Sequence, residues 1–300
     1  MTINYLVLTR IQLRYNCVII YSQWMGKVSR SLQQFRRINM TLQRAGRYSG
    51  TVTKGAMKRI TRVVNILCLY STEKWIWNEV TQTQVKHKLS FITLTVTEND
   101  KMLTAREAYD TLLEPFLKWA TRTKGVKAFI WKAEKQKRGQ IHYHITTPSF
   151  LNWREIRTKW NRLQAQAGLL DSFAAKHKHA DPNSTDVHEV YKVNDLTSYL
   201  IKYLSKNDPT DEGTTGKIWD ASLNLKTAQL PNYDMINDQD EMLRIAQENN
   251  ITKTTVRDHC TIVTAKGAKG YDLLCQQLLD EFNSSNPLLQ TELNPDFSPA

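Results

Sequence analysis

The sequence predicts an α+β fold, an antiparallel sheet carrying helices on one face. Three observations carry that expectation. Between residues 90 and 207, β-branched runs and runs of helical apolar spacing follow one another in the order β, α, β, β, α, β, α. Two of the strands are joined by a short polar segment ending in glycine, a hairpin signal. A chain of 300 residues with 41% hydrophobic content is also large enough to bury a real core.

"SFITLTVT" (90–97) is a β-branched strand. "TAREAYDTLLEPFLKWATRT" (104–123) has helical apolar spacing, with Thr104 as N-cap and Glu107 completing a capping box. "VKAFIWKAEKQ" and "QIHYHITT" are strands flanking "KRG". "NWREIRTKWNRLQAQAGLL" (152–170) starts at an Asn cap and puts Trp153, Ile156, Trp160 and Leu163 on one helical face. After the polar loop "KHKHADPNST", the strand "DVHEVYKV" (186–193) leads into the helix "DLTSYLIKYLSKN" (195–207). Two β-α-β halves in this order build a ferredoxin-like or RNA-recognition-like sheet.

Around this middle the charge is uneven. The net charge is +12, yet residues 1–72 hold twelve Lys or Arg and no Asp or Glu, while the other 228 residues carry 29 of each sign. A segment such as "RSLQQFRRINMTLQRAGR" is the footprint of a phosphate-backbone binder, with a solvated basic face as the alternative. After Lys269 no basic residue occurs, and "NSSNPLLQTELNPDFSPA" reads as a loosely ordered acidic tail. The expected organisation is a basic, DNA-binding region at 1–85, a core at 86–210, an accessory α/β region at 211–282 and a flexible acidic tail at 283–300.

Several function classes drop out. Cys17, Cys68, Cys260 and Cys275 are widely spaced, which suggests neither a zinc ribbon nor a disulfide framework and fits a reducing cytoplasm. "YLVLTRIQLRYNCVIIYSQW" is interrupted by Arg10 and Arg14, too polar for a spanning helix. "GTTGKIW" (213–219) is too short for a phosphate-binding loop and lacks its final hydroxyl, so no helicase activity is expected. "IAQENNITKTTV" (245–256) has helix-turn-helix spacing, but "TVRDHCTIVT" (255–264) reads better as a β-branched strand.

The candidate chemistry lies in the hairpin and the last helix. On a strand, His142 and His144 share a face and Tyr143 points away. If the turn centres near Arg138, Glu134 lies across from His142 and Lys132 across from His144. Two imidazoles and a carboxylate would then converge, leaving open positions as at a reactive metal centre; a polar sheet face is the commoner meaning of such a pair. His177 and His179 repeat the spacing in a lysine-rich loop, where neighbouring cations repel a metal ion. Tyr199 and Tyr203 are four apart on one side of a helix, with Lys202 and Lys206 on a flanking side. Leu196, Tyr199, Leu200, Tyr203 and Leu204 also form an ordinary amphipathic stripe.

Taken together, "FITLTV", "HYH" and "YLIKYLSK" resemble the three motifs of the HUH endonuclease superfamily, specifically two-tyrosine rolling-circle replication initiators of plasmid or single-stranded DNA phage type. The resemblance covers roughly residues 88–207. It implies that the His pair sits on a central strand and binds a divalent metal ion (Mg²⁺ or Mn²⁺) as His142 and His144, with Glu134 as an added acidic ligand. It further implies that Tyr199 and Tyr203, on the following helix, are nucleophiles that nick single-stranded origin DNA, keeping the 5′ phosphate and freeing a 3′ hydroxyl primer. Lys202 or Lys206 would hold the phosphate or lower a tyrosine pKa. Host polymerase and helicase would be partners in a bacterial cytoplasm, without a membrane. The tyrosines follow the histidines, as in replication initiators and unlike most relaxases. An HUH transposase shares the chemistry but tends to carry one tyrosine. A non-catalytic module stacking single-stranded bases on Phe91, Tyr143 and the tryptophans is the remaining alternative, told apart by whether protein becomes joined to DNA.

Overall fold

The computed structural model describes residues 6–15, 17–25, 51–78, 81–97, 103–136, 139–190, 196–205, 217–234, 252–258 and 260–266. The basic segment at 30–47, Lys206, Cys275, residues 191–193 of the expected strand, residues 245–250 and the tail at 283–300 lie outside these.

The chain divides into two units. In the first, β1 (Leu6–Arg14) and β2 (Cys17–Met25) form a hairpin closed at Arg14↔Cys17. They join β10 (Asn232–Asp234), β11 (Thr252–Arg257) and β12 (Cys260–Ala265) in a five-stranded sheet of order β10-β1-β2-β12-β11. Alternation in "IQLR" explains β1: Ile11 and Leu13 are fully buried, whereas Gln12 and Arg14 are half-exposed. Thr252, where a second helix of a helix-turn-helix would start, opens β11, so the strand reading holds. Cys17, Cys68 and Cys260 are free thiols. No described helix is long and apolar enough to cross a membrane.

The second unit, Tyr48–Ala228, carries the motifs. It opens with α1 (Lys54–Tyr70), capped by the Thr53 hydroxyl, which accepts from the Ala56 N–H. A two-stranded ribbon follows, β3 (Lys74–Asn78) with β4 (Thr83–His87). The expected order then unfolds: β5 (Ser90–Thr95), α2 (Ala105–Ala108) running through a π turn (Tyr109–Leu113) into α3 (Glu114–Arg122), β6 (Ile130–Lys135), β7 (Ile141–Thr147), α4 (Trp153–Gln166), α5 (Asp171–His177), β8 (Thr185–Glu189) and α6 (Leu196–Ser205). β9 (Trp219–Ala221) and α7 (Leu223–Thr227) complete it.

The sheet order is β8-β5-β7-β6-β9, antiparallel throughout, so the strands of two β-α-β halves interleave and β7 lies in the middle. The capping box at Thr104 and Glu107 forms as expected. The helix it opens is not regular, however. Pro115 has no N–H to donate and its ring crowds the preceding turn, so the ladder widens and the Glu114 N–H reaches back to the Tyr109 carbonyl. In the β6–β7 hairpin Gly139 takes a φ of 93°, a conformation that favours glycine, and donates its N–H to the Gln136 carbonyl at 2.8 Å.

One sheet face is apolar. Ile92, Leu94, Trp131, Ala133, Tyr143 and Ile145 pack there against Leu112, Leu113 and Phe116 of the first helical segment and Ile156, Trp160 and Leu163 of α4. The Trp160 indole also donates to the Thr95 carbonyl at 2.8 Å, fixing α4 to β5. Trp153, expected on that face, is 41% exposed at the first turn of α4, with the Arg154 and Arg157 guanidinium groups over its ring. The expectation of helices on one face alone is corrected. α6 packs against α1, and its Tyr203 meets Phe91 and His144, residues whose strand parity places them on the opposite face.

Candidate active site

The opposite face is polar because the same alternation that buries Ile92, Leu94, Tyr143 and Ile145 turns Thr93, Thr95, His142 and His144 away from the core. The register is the one expected: Glu134 pairs with His142 and Lys132 with His144, while Thr95 and Thr93 flank them from β5. Three adjacent strands therefore bring two imidazoles, a carboxylate, an ammonium and two hydroxyls onto one patch.

Each potential metal donor is held by a neighbour. His142 Nδ1 lies 3.2 Å from the Thr95 hydroxyl, and His144 Nδ1 lies 3.2 Å from the Thr93 hydroxyl. With an Nδ1–H donated to each hydroxyl, the Nε2 lone pairs remain for a ligand. The two rings stack at 5.7 Å with 10° between their planes. Glu134 Oε1 accepts from Lys132 Nζ at 2.9 Å, and Oε2 lies 3.5 Å from His144 Nε2. Lys132 is fully buried, the unusual position of a cation with a partner beside it.

The electrostatics suit ligation. Burial, then the neighbouring His144, pull the His142 imidazole down to about 4, so it is neutral at pH 7. Burial pushes the Glu134 carboxyl up, but hydrogen bonding from His144 and Lys132, with the Lys132 charge, outweighs burial and holds it at about 2. A neutral imidazole at His142, the His144 ring beside it and an ionised carboxylate are a donor set that fits a divalent cation. Among the described residues, no three His, Cys, Asp or Glu side chains converge in ligand geometry as they stand. The Lys132 bond to Glu134 is one reason, since it holds one carboxylate oxygen.

The tyrosines sit over this patch. Tyr203 is half-buried, with its ring edge-on to His144 at 4.9 Å and to Phe91 at 5.1 Å, and its hydroxyl 3.4 Å from His144 Nε2. Burial, then the Glu134 carboxylate and Tyr199, push its phenol up to about 12. Tyr199 is 36% exposed, its ring 6.4 Å from that of Tyr203. The apolar stripe of α6 thus divides: Leu200 and Leu204 are buried, and the tyrosines form its border. Lys202 is exposed on the same helix, and Lys206 lies outside the described residues.

His177 and His179 stay apart from this patch, beside Phe173 at the exposed end of α5. Phe91 and Tyr143 are 2% and 1% exposed, so neither can offer a face to a base. Sequence reasoning gave no role to Thr93, Thr95 or Lys132. The signal was available, because both threonines share the parity of a strand that pairs with "HYH".

Residues 89–208 match a family model of replication-associated proteins, the ORF2 type. The match points to a replication-associated protein. No curated protein and no solved structure matches the chain.

Proposed function

We propose that the chain is a replication initiation protein that nicks single-stranded origin DNA by tyrosine attack. The observation that carries this reading is the Tyr203 hydroxyl 3.4 Å from His144 Nε2, above a patch holding His142 and Glu134. The family match over residues 89–208, which spans all these groups, supports it.

His142, His144 and Glu134 would hold Mg²⁺ or Mn²⁺, which when bound polarises the scissile phosphate and offsets the charge that grows on its oxygens. The chain's own residues do the rest. A hydroxyl of Tyr199 or Tyr203 attacks phosphorus, forming the tyrosine O–P bond as the P–O3′ bond breaks. The 5′ phosphate stays on the protein, the tyrosine gives up its proton, and the departing 3′ oxygen gains one to become the primer hydroxyl. The linkage stores the bond energy, so a second tyrosine can cut again and rejoin the strand. Phe91, stacked between His144 at 5.5 Å and His188 at 5.1 Å, gives Tyr203 a rigid floor. Lys202, and Lys206 beyond it, would meet the phosphate from solvent. Origin DNA, host polymerase and helicase are the partners this role requires, in a bacterial cytoplasm.

The test separates binding from cleavage. His142→Ala and His144→Ala should each lower the nicking of labelled single-stranded origin DNA by at least about 100-fold while leaving its affinity within about 3-fold, because phosphate contacts are spread over many cations. His177→Ala with His179→Ala should nick normally. Normal nicking by both His142→Ala and His144→Ala would overturn the assignment.

A further inference from the structure

Tryptophans are seldom left in water, since an indole buried on folding or binding removes a large apolar surface. Yet Trp75 is 62% exposed and Trp77 54% exposed. Both lie on β3, two residues apart, so they share one face of the β3–β4 ribbon. The register puts Lys86 opposite Trp75 and Gln84 opposite Trp77, and both partners are exposed as well. Lys86 Nζ stands 5.7 Å over the Trp75 ring and 3.2 Å from Glu73. The other face carries the half-buried Ile76 and Val85 and ends at His87, which is fully buried. His87 bonds through Nε2 to the Ser90 hydroxyl at 2.9 Å and meets Phe150 edge-on. The ribbon is therefore rooted at the start of β5, the strand of Thr93 and Thr95, with its indoles turned outward.

We propose that Trp75 and Trp77 are a stacking platform for unpaired bases of single-stranded DNA, with Lys86 beside the phosphates. Alternate residues on a strand are about 6.7 Å apart, close to twice the 3.4 Å spacing of stacked bases, which admits one base ring between two indole planes. The charge favours a polyanion: residues 51–88 contain seven Lys or Arg against Glu73 and Glu79. A base face is available only when the base is unpaired, so the surface selects single strands over duplex. That the occupant is DNA rests on the nickase reading. The platform itself rests on the ribbon.

The experiment uses the full chain without added divalent metal and fluorescein-labelled oligo(dT) of 20 nucleotides, with a duplex of equal length, read by fluorescence anisotropy. Trp75→Ala with Trp77→Ala should weaken oligo(dT) binding by about 5- to 100-fold and leave duplex binding within about 2-fold. Trp75→Phe with Trp77→Phe, which keeps a ring face, should recover most of the affinity. Lys86→Ala should flatten the salt dependence for oligo(dT) by about 0.7 in log–log slope. Wild-type affinity in the double Ala variant, equal losses for both ligands, or a wild-type dimer that the double Ala variant abolishes without a change in oligo(dT) affinity would each overturn the platform. A tyrosine adduct in the wild type together with unchanged binding in the double Ala variant sinks the platform and spares the nickase. Selective loss of oligo(dT) binding with no adduct in the wild type does the reverse.

Discussion

Replacing Glu134 by Gln is the perturbation whose size the structure constrains best. The carboxylate lies 2.9 Å from the fully buried Lys132 and 3.5 Å from His144, and it is held at about 2 against an ordinary value of 4.5. A depressed carboxyl contributes stability that is fully present above pH 4.5 and is lost as the pH falls through 4.5 toward 2. The difference corresponds to about 3.4 kcal/mol as a ceiling, and to roughly half that once solvent screening of a partly exposed side chain is counted. At pH 3 about 1.4 kcal/mol of the ceiling remains, so this group alone removes about 1 to 2 kcal/mol between pH 7 and pH 3. Gln cannot ionise, although its amide oxygen can still accept from Lys132. Glu134→Gln should therefore be less stable than wild type by about 1.5 to 3 kcal/mol at pH 7, with a deficit smaller by about 1 to 2 kcal/mol at pH 3. Urea unfolding followed by tryptophan fluorescence at both pH values measures this, and other titrating groups cancel in the difference. The same variant should need more Mn²⁺ to half-saturate the protein, read by electron paramagnetic resonance of free Mn²⁺. An equal deficit at pH 7 and pH 3 would refute the reasoning, because the carboxylate would then not be held down by its neighbours.

Thr93→Val and Thr95→Val should each shift the facing imidazole from the Nδ1–H tautomer, visible in ¹⁵N histidine spectra of the metal-free protein, and weaken Mn²⁺ binding by about 10- to 100-fold. The Ser variants should restore both, and unchanged tautomers in the Val variants would remove the threonines' positioning role. His142 and His87 are each held at about 4, His142 by burial and then His144, His87 by burial and then Lys74. The unfolded chain therefore takes up protons that the folded chain refuses as the pH drops from 6.5 to about 4, and stability should fall across that window. His87→Asn with His142→Asn should flatten that part of the profile, and an unchanged slope would contradict the burial of both rings.

The central fold was legible because its signals are local. Thr104 and Glu107 announce a helix start, Gly139 a turn, and the alternation in "QIHYHITT" both a strand and the face on which His142 and His144 lie. Once the hairpin was placed, the pairing of Glu134 with His142 followed from strand geometry. The pairing of β5 with β7 sets Thr93 and Thr95 against the imidazoles, but it joins residues about fifty apart, and nothing local specifies it. The same holds for β1 with β10 and β2 with β12, whose partners are separated by more than 200 residues. The side of the sheet taken by α6 was hidden for a different reason. A helix with Leu200 and Leu204 inside and tyrosines at the border can dock on either face, and contact with α1 decides between them.

The measurement that tests the central claim most directly is a covalent one. Protein incubated with Mn²⁺ and a labelled single-stranded origin oligonucleotide should give a band shift that survives denaturation, since a phosphotyrosine bond persists when noncovalent contacts are lost. Tyr199→Phe and Tyr203→Phe keep the rings that pack at the border of α6 and remove one hydroxyl each. Because only Tyr203 reaches His144 in the arrangement described, Tyr203→Phe should lose the larger share of adduct, at least about 10-fold. Tyr199→Phe should keep most of it, and the double variant should form none. An adduct that persists in the double variant would place the nucleophile elsewhere and contradict the role given to this helix.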